Sequence, residues 1–350
     1  MEFVISFDMR APDFGATKQA LYDAALDMCA WADEIGFDVV GLGEHHASED
    51  GYLPSPIPMA SAIGARTKKI LVRPNILQAP IYDPVKLAED LSVAQYLCQG
   101  RLEVVIGAGY RPYEFQMFGK RREDRKDLYI NAFQFLRKAW SGETFEYQGR
   151  SITITPQPDP APRLLLGGTH PAVAKRAAHI ADGYYPPAGE NWDIYRQTCI
   201  ELGKPDPGEA FKALGPIFTH ISRDPDADWE RIAPHAQHVV KSYSEWTTEA
   251  YGKAAGPFAS DTFDIDDLRA SGAYQVLTSE DTIGMINGLG RNRTFILMPL
   301  LGGLDPEMAW QSLKLFENEV WPHVKHLKTK PRRGHNRRAR PRPDPVNNSV

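Results

Sequence analysis

Short apolar runs of strand type alternate along this chain with stretches whose apolar residues recur at helical spacing. The first run, FVISFD (3–8), precedes TKQALYDAALDMCAWADEIG (17–36). There Leu21, Ala25, Met28, Ala32 and Ile35 repeat every three or four residues, and Gly36 supplies a stop. DVVGLG (38–43), KILVRPNILQAP (69–80) and RLEVVIGAG (101–109) continue the strand series. Between them, PSPIPMASAIGART (54–67) and DPVKLAEDLSVAQYLCQG (83–100) predict helices opened by proline, whose missing N–H costs nothing in a first turn. A charged, aromatic loop, YRPYEFQMFGKRREDR, leads into a helix at 126–142. Residues 143–162 predict a small hairpin and a proline-rich linker. RLLLGG (163–168), a short run at YYPPA, KALGPIFTHIS (212–222) and TFILMPLLG (294–302) supply strands five to eight. Helices are predicted at 170–183, 191–203, 279–290 and 305–325, whereas 225–275 shows no clear pattern.

Strand–helix alternation makes a parallel sheet, because each parallel crossover needs a helix. Eight such steps predict an α/β fold of the (β/α)8 TIM-barrel type over residues 1–327, with insertions after strands 4 and 7. Barrels keep their chemistry at the C-terminal ends of the strands. That rule gathers Asp8, Glu44–His45–His46, Asn75, Gly107–Tyr110 and Gly167–Thr169 at one mouth.

Composition narrows the class. Of 350 residues, 42% are apolar and 24% charged, as in soluble globular proteins. No apolar run approaches the roughly 20 residues that span a bilayer. No secretory signal is visible, and Cys29, Cys98 and Cys199 are too few and too widely spaced for a disulfide framework or a zinc site. A reducing, cytoplasmic setting is the expectation, with no membrane association. The net charge of −5 hides an asymmetry: residues 328–350 hold eight Lys or Arg and one Asp, so +7, leaving −5 − 7 = −12 on the rest. The acidic body is no nucleic-acid footprint. The basic, proline-rich stretch reads as a disordered tail, with a solvated extension favoured over an RNA or acidic partner.

In EHH (44–46) adjacent residues point to opposite sides, so His45 and His46 do not readily grip one ion, and no metal is expected. An acid–base role for one histidine and a buried brace with Glu44 both remain open. GAGYRP (107–112) fails as a dinucleotide fingerprint and reads as a tight turn, although Gly107 and Gly109 would let a flat ligand approach the backbone. LLLGGTHPAVAKRAA (164–178) offers an anion site at a helix start, with Thr169 as a hydroxyl donor, or an ordinary cap. Asn75, near the end of strand three, is as readily a plain strand edge.

GFDVVGLGEHH (36–46), GARTKKILV (64–72), DPVKLAEDLSVAQYLCQGRLEVVIGAGY (83–110), EFQMFG (114–119), PRLLLGG (162–168), AAHIADGYY (177–185) and SLKLFENEVWPHVK (312–325) together resemble the luciferase-like, flavin-dependent monooxygenases. The resemblance covers about residues 1–200 and 275–327. It implies a (β/α)8 barrel, usually a homodimer, holding reduced FMN or the deazaflavin F420 in its mouth. In flavin members O2 adds to the reduced ring, the peroxide oxidises a small organic substrate, and a separate flavin reductase supplies the reduced cofactor. F420 members transfer hydride instead, and a non-catalytic flavin-binding homologue is a further alternative. The resemblance makes His45 the acid–base residue. Asn75 and Ile76 take the position of a cis peptide under the ring, and Gly168 and Thr169 the phosphate turn. Gly107 and Ala108 replace the Cys and Arg of the luciferases themselves. That argues against light emission and leaves the phosphate to backbone donors unless Arg111 supplies charge.

Overall fold

The computed structural model describes residues 1–186, 189–209, 216–291 and 293–329. Its strands are β1 (Glu2–Phe7), β2 (Val39–Leu42), β3 (Leu71–Gln78), β4 (Glu103–Gly107), β5 (Phe145–Tyr147), β6 (Arg150–Ile152), β7 (Arg163–Gly167), β8 (Gly183–Tyr185), β9 (Phe218–Ile221), β10 (Tyr274–Leu277) and β11 (Thr294–Leu297). Seven form one parallel sheet in the order β11-β1-β2-β3-β4-β7-β8, and β10 and β9 form a second parallel pair. β9 packs beside β11. The strand–helix series is therefore present as a curled parallel sheet. It is carried on two ladders, and β10 is a further parallel strand that begins at the end of the stretch 225–275, which gave no sequence pattern. β5 and β6 make the predicted antiparallel hairpin. Residues 212–215, the start of the predicted seventh strand, lie outside the described residues.

Several helices start where the sequence provides a capping side chain. Asp83 accepts from the N–H groups of Val85 and Lys86 ahead of the helix Pro84–Leu97, and Thr17 and Asp305 cap theirs in the same way. After β9 comes the longest helix, Pro225–Tyr251, capped by the Asp224 side chain and ended by left-handed Gly252. Ile232, Ala233, Ala236, Val239 and Val240 form its buried stripe. Pro234 inside it and its mixed polar content hid this helix from the periodicity.

The starts of β1, β3, β4 and β7 are joined by two buried charges, Arg73 and Glu103, and two half-buried ones, Glu2 and Arg163. Arg73 donates to Glu103 at 2.7 Å and to Glu2 at 3.1 Å, and Arg163 pairs with the other Glu103 oxygen. This network fills the N-terminal end of the sheet, leaving the C-terminal end for ligands. Residues 328 and 329 belong to the body: Lys328 Nζ lies 3.0 Å from Asp38, and Thr329 N–H donates to the Met1 carbonyl. The rest of the predicted tail, 330–350, lies outside the described residues.

His220 on β9 is buried, and burial pushes its pKa down to about 4, Asp228 only partly opposing this. The folded pKa is below the unfolded value, so this contribution is intact above pH 6.5 and lost as pH falls through 6.5 toward 4. That window corresponds to roughly 3 kcal/mol. His220→Gln should lose less melting temperature than the wild type between pH 7 and pH 4. An identical slope for both proteins would mean that His220 titrates freely when folded.

Candidate active site

β2 ends at Leu42, and the chain leaves it through Gly43, Glu44, His45 and His46. All of Glu44, His45 and His46 are buried. Glu44 is the structural member. It accepts from His46 Nε2 at 3.0 Å, Gln78 N–H at 2.6 Å and the Tyr82 hydroxyl at 2.5 Å. The histidine braced by Glu44 is thus His46. His45 turns the other way, and its Nδ1 lies 2.9 Å from Glu114 Oε1.

Glu114 was not singled out in the sequence, where it lay in an aromatic loop. That loop contains a short helix, Pro112–Met117, directly after the β4 turn, so a strand–glycine–helix unit does follow here. Its helical start carries Glu114 under His45. The carboxylate is 0% exposed and takes three donors on one oxygen: His45, the His46 N–H at 2.9 Å and Arg111 at 3.3 Å. Burial alone would raise the Glu114 pKa; the His45 bond, the His46 N–H and the Arg111 charge outweigh it and hold the carboxyl below its usual range. Burial lowers the His45 pKa, and Glu114 only partly restores it. The pair therefore rests as carboxylate and neutral imidazole near pH 7. Arg111 donates through Nη1 to Glu114 and to the His46 carbonyl, which ties its guanidinium to the His45 side of the site.

The helix Pro225–Tyr251 closes one side of the site. Tyr243 and Trp246 place ring centroids 5.7 and 4.7 Å from that of His45. Trp229 of the same helix lies in the core, whereas Tyr243 and Trp246 face the histidine. Beneath them Arg10, 0% exposed, donates to Asp50 at 2.8 Å, with its guanidinium carbon 4.8 Å from the Tyr52 centroid, 5.2 Å from Tyr243 and 4.7 Å from Trp246. Asp8 lies 3.6 Å from Arg10 Nε. Asp50 also pairs with His238 of the long helix at 2.7 Å, and His238 and Arg10 help hold its carboxyl below the normal range against burial.

On the far side, the β3–β4 register shifts between Asn75 and Leu77, and the Asn75–Ile76 peptide is cis. Asn75 and Ile76 are half-buried, and Asn75 Nδ2 donates to Tyr185 at 3.3 Å. A Cβ on Gly107 would lie 2.0 Å from Ile76 Cγ2. The missing side chain at Gly107 thus makes room for Ile76 rather than for a ligand. Gly109 has φ +70°, and a Cβ there would meet Gln78 Oε1 at 2.6 Å. Gly168 (φ +145°) is half-buried and Thr169 exposed at the end of β7. The cap of the following helix Pro171–Ile180 is His170, whose ring accepts from Ala172 N–H, so Thr169 stands free of the capping role. Asn75, Ile76, Gly107, Gly109, Gly168 and Thr169 lie at the same edge of the sheet as His45, and Gly107 and Gly109 are both backed by protein, Gly107 by Ile76 and Gly109 by Gln78 and Phe115. Among the described residues no group of three His, Cys, Asp or Glu could hold a metal ion.

A profile of the luciferase-like monooxygenases matches residues 1–284. The chain belongs to that family. The match runs through 205–275, which the sequence blocks left out. An F420-dependent glucose-6-phosphate dehydrogenase of Microbacterium testaceum is 26% identical over 50% of this chain. The match spans 55% of that dehydrogenase, so about half its length. The oxygenase component of a flavin-dependent trigonelline monooxygenase of Acinetobacter baylyi is 24% identical over 72% of this chain and 81% of its own. Among solved structures, the oxygenating constituent of 3,6-diketocamphane monooxygenase from Pseudomonas putida, in complex with FMN, superposes with a TM-score of 0.70 at 18% identity, covering 93% of this luciferase-like chain and 98% of that one. Its likeness establishes the shared fold. No helix among the described residues is long and apolar enough to cross a membrane.

Gly107→Ala should drive Ile76 out of its place and cost about 1–3 kcal/mol through overpacking. Thermal denaturation checks this, and an unchanged melting temperature would show that Ile76 has room to yield.

Proposed function

We propose that this protein is the oxygenase component of a two-component flavin monooxygenase. It would use reduced FMN and O2 on a small organic substrate, receive its flavin from a reductase, and work as a homodimer in which the two ladders complete the family's (β/α)8 barrel. The observation that carries the reading is the grouping, at one sheet edge, of neutral His45 with the half-buried Asn75–Ile76 segment and the open Gly168–Thr169 turn. The half-buried Asn75–Ile76 segment at the C-terminal edge of the sheet would take the face of a tricyclic ring, and the turn before the helix Pro171–Ile180 would take its phosphate. The helix dipole favours an anion there without a side-chain cation. When bound, the cofactor supplies the electrons for the reaction with O2. The chain's own residues orient it, exclude water with Tyr243 and Trp246, and move a proton at His45. A second reading, hydride transfer with F420 on the same scaffold, is favoured by the likeness to the Microbacterium dehydrogenase.

Anaerobic titration with reduced FMN and, separately, reduced F420 tests the choice. Saturable FMN binding followed by O2-dependent reoxidation at the protein supports the oxygenase; saturation by F420 alone selects the dehydrogenase; binding of neither removes both. Thr169→Asp should weaken cofactor affinity by about tenfold through charge repulsion at the phosphate. An unaltered affinity would put the phosphate elsewhere. His45→Asn should lower turnover at preserved affinity, and full turnover in that variant would remove His45 from the chemistry.

A further inference from the structure

His45 is too enclosed to be the group a ligand meets. It is 7% exposed, with one ring nitrogen committed to Glu114. The other, Nε2, lies 3.5 Å from the Tyr110 hydroxyl, a long contact of the kind that tightens when a site fills. Tyr110 is half-buried at the end of β4, its ring stacked on exposed Tyr251 at 5.9 Å, so of the two it is the one that reaches the mouth. The other nearby phenols are engaged: Tyr52 and Tyr243 share a hydrogen bond of 3.0 Å with each other.

We propose that Tyr110 is the proton-transferring group that touches the ligand, with His45 behind it as proton store and Glu114 as the residue that positions His45. This rests on the proposed function of the mouth but not on which flavin fills it. Glu114 Oε1 accepts from Nδ1–H, which fixes the tautomer and leaves the Nε2 lone pair for the Tyr110 O–H. When an O–H or N–H acid of the ligand gives its proton to the Tyr110 oxygen, the phenolic proton moves to His45 Nε2. Tyr110 stays neutral, and the imidazolium formed sits against the Glu114 carboxylate. The reverse transfer returns one proton to the ligand. Glu114 itself remains ionised throughout, as the carboxylate does in hydrolase triads. Burial raises the Tyr110 pKa and lowers that of His45, so both rest neutral.

The groups facing His45 act in known directions. Glu114 favours the imidazolium, and Arg111 and Arg10 oppose it. Tyr52, Tyr243, Trp246 and Tyr110 surround it with rings, and the neighbouring His46 is tied to Glu44.

The test is nitrogen-15 NMR of the histidines in the cofactor-free protein, with His45→Gln assigning the signal among the ten histidines. The wild type should show the Nδ1–H tautomer of His45 at pH 7. Glu114→Gln should lower the His45 pKa by about one unit or more, since a carboxylate partner is lost. Tyr110→Phe should raise it by a few tenths, since a bond to the neutral form is lost. Opposite shifts in the two variants show that Glu114 and Tyr110 bond the two nitrogens of one His45 tautomer, as the relay requires. An Nε2–H tautomer in the wild type, or shifts of one sign in both variants, overturns the relay. Because no cofactor is present, failure of flavin binding would leave this result standing on its own, and the reverse.

Discussion

A carboxylate with no exposed surface must be neutralised by its surroundings, and Glu114 sets the terms for the whole mouth. Its Oε1 gathers His45, the His46 N–H and Arg111. Those donors come from the β2 loop and the β4 turn, so one atom fixes two strand ends against each other. Taking away one member of such a group leaves a buried charge without its partner, which costs about 3–5 kcal/mol. The same bond turns His45 away from the Glu44–His46 brace and toward Tyr110. Glu114 thus sets the geometry, while burial keeps the His45 imidazole neutral.

A second buried charge does for the long helix what Glu114 does for the loops. Arg10 sits under Tyr52, Tyr243 and Trp246 and is tied to Asp50, which also holds His238. The helix Pro225–Tyr251 is anchored through its polar residues as much as its apolar stripe. The two systems meet at Trp246, whose ring centroid lies 4.7 Å from the Arg10 guanidinium carbon and 4.2 Å from that of Arg111. Cationic stacking of this kind holds an indole in place. At the opposite end of the sheet, the Glu2–Arg73–Glu103–Arg163 network fills the interior. Polar groups therefore close one end of the sheet and shape the other.

What the sequence disclosed follows from local physics. Alternating periodicities identified the strands of the seven-stranded sheet, and the barrel rule put His45, Asn75 and Thr169 at one edge. Local patterns could not reveal Glu114 or Arg10, because their partners lie 69 and 40 residues away along the chain. Tyr243 and Trp246 were hidden for a related reason: a helix carrying Pro234 and many polar residues shows its inward face only once Arg10 is in place. Gly107 was read as space for a ligand because a glycine in sequence does not say what fills its missing side chain. Here it is Ile76.

The central claim is that a flavin-type cofactor lies against the edge formed by His45, Asn75–Ile76, Tyr110 and Gly168–Thr169. Hydrogen–deuterium exchange with and without saturating FMN tests it most directly. Exchange should slow in residues 43–53, 75–78, 107–118 and 167–172, while the β5–β6 hairpin on the outside stays unchanged. Binding that protects other segments and leaves these untouched would contradict the account.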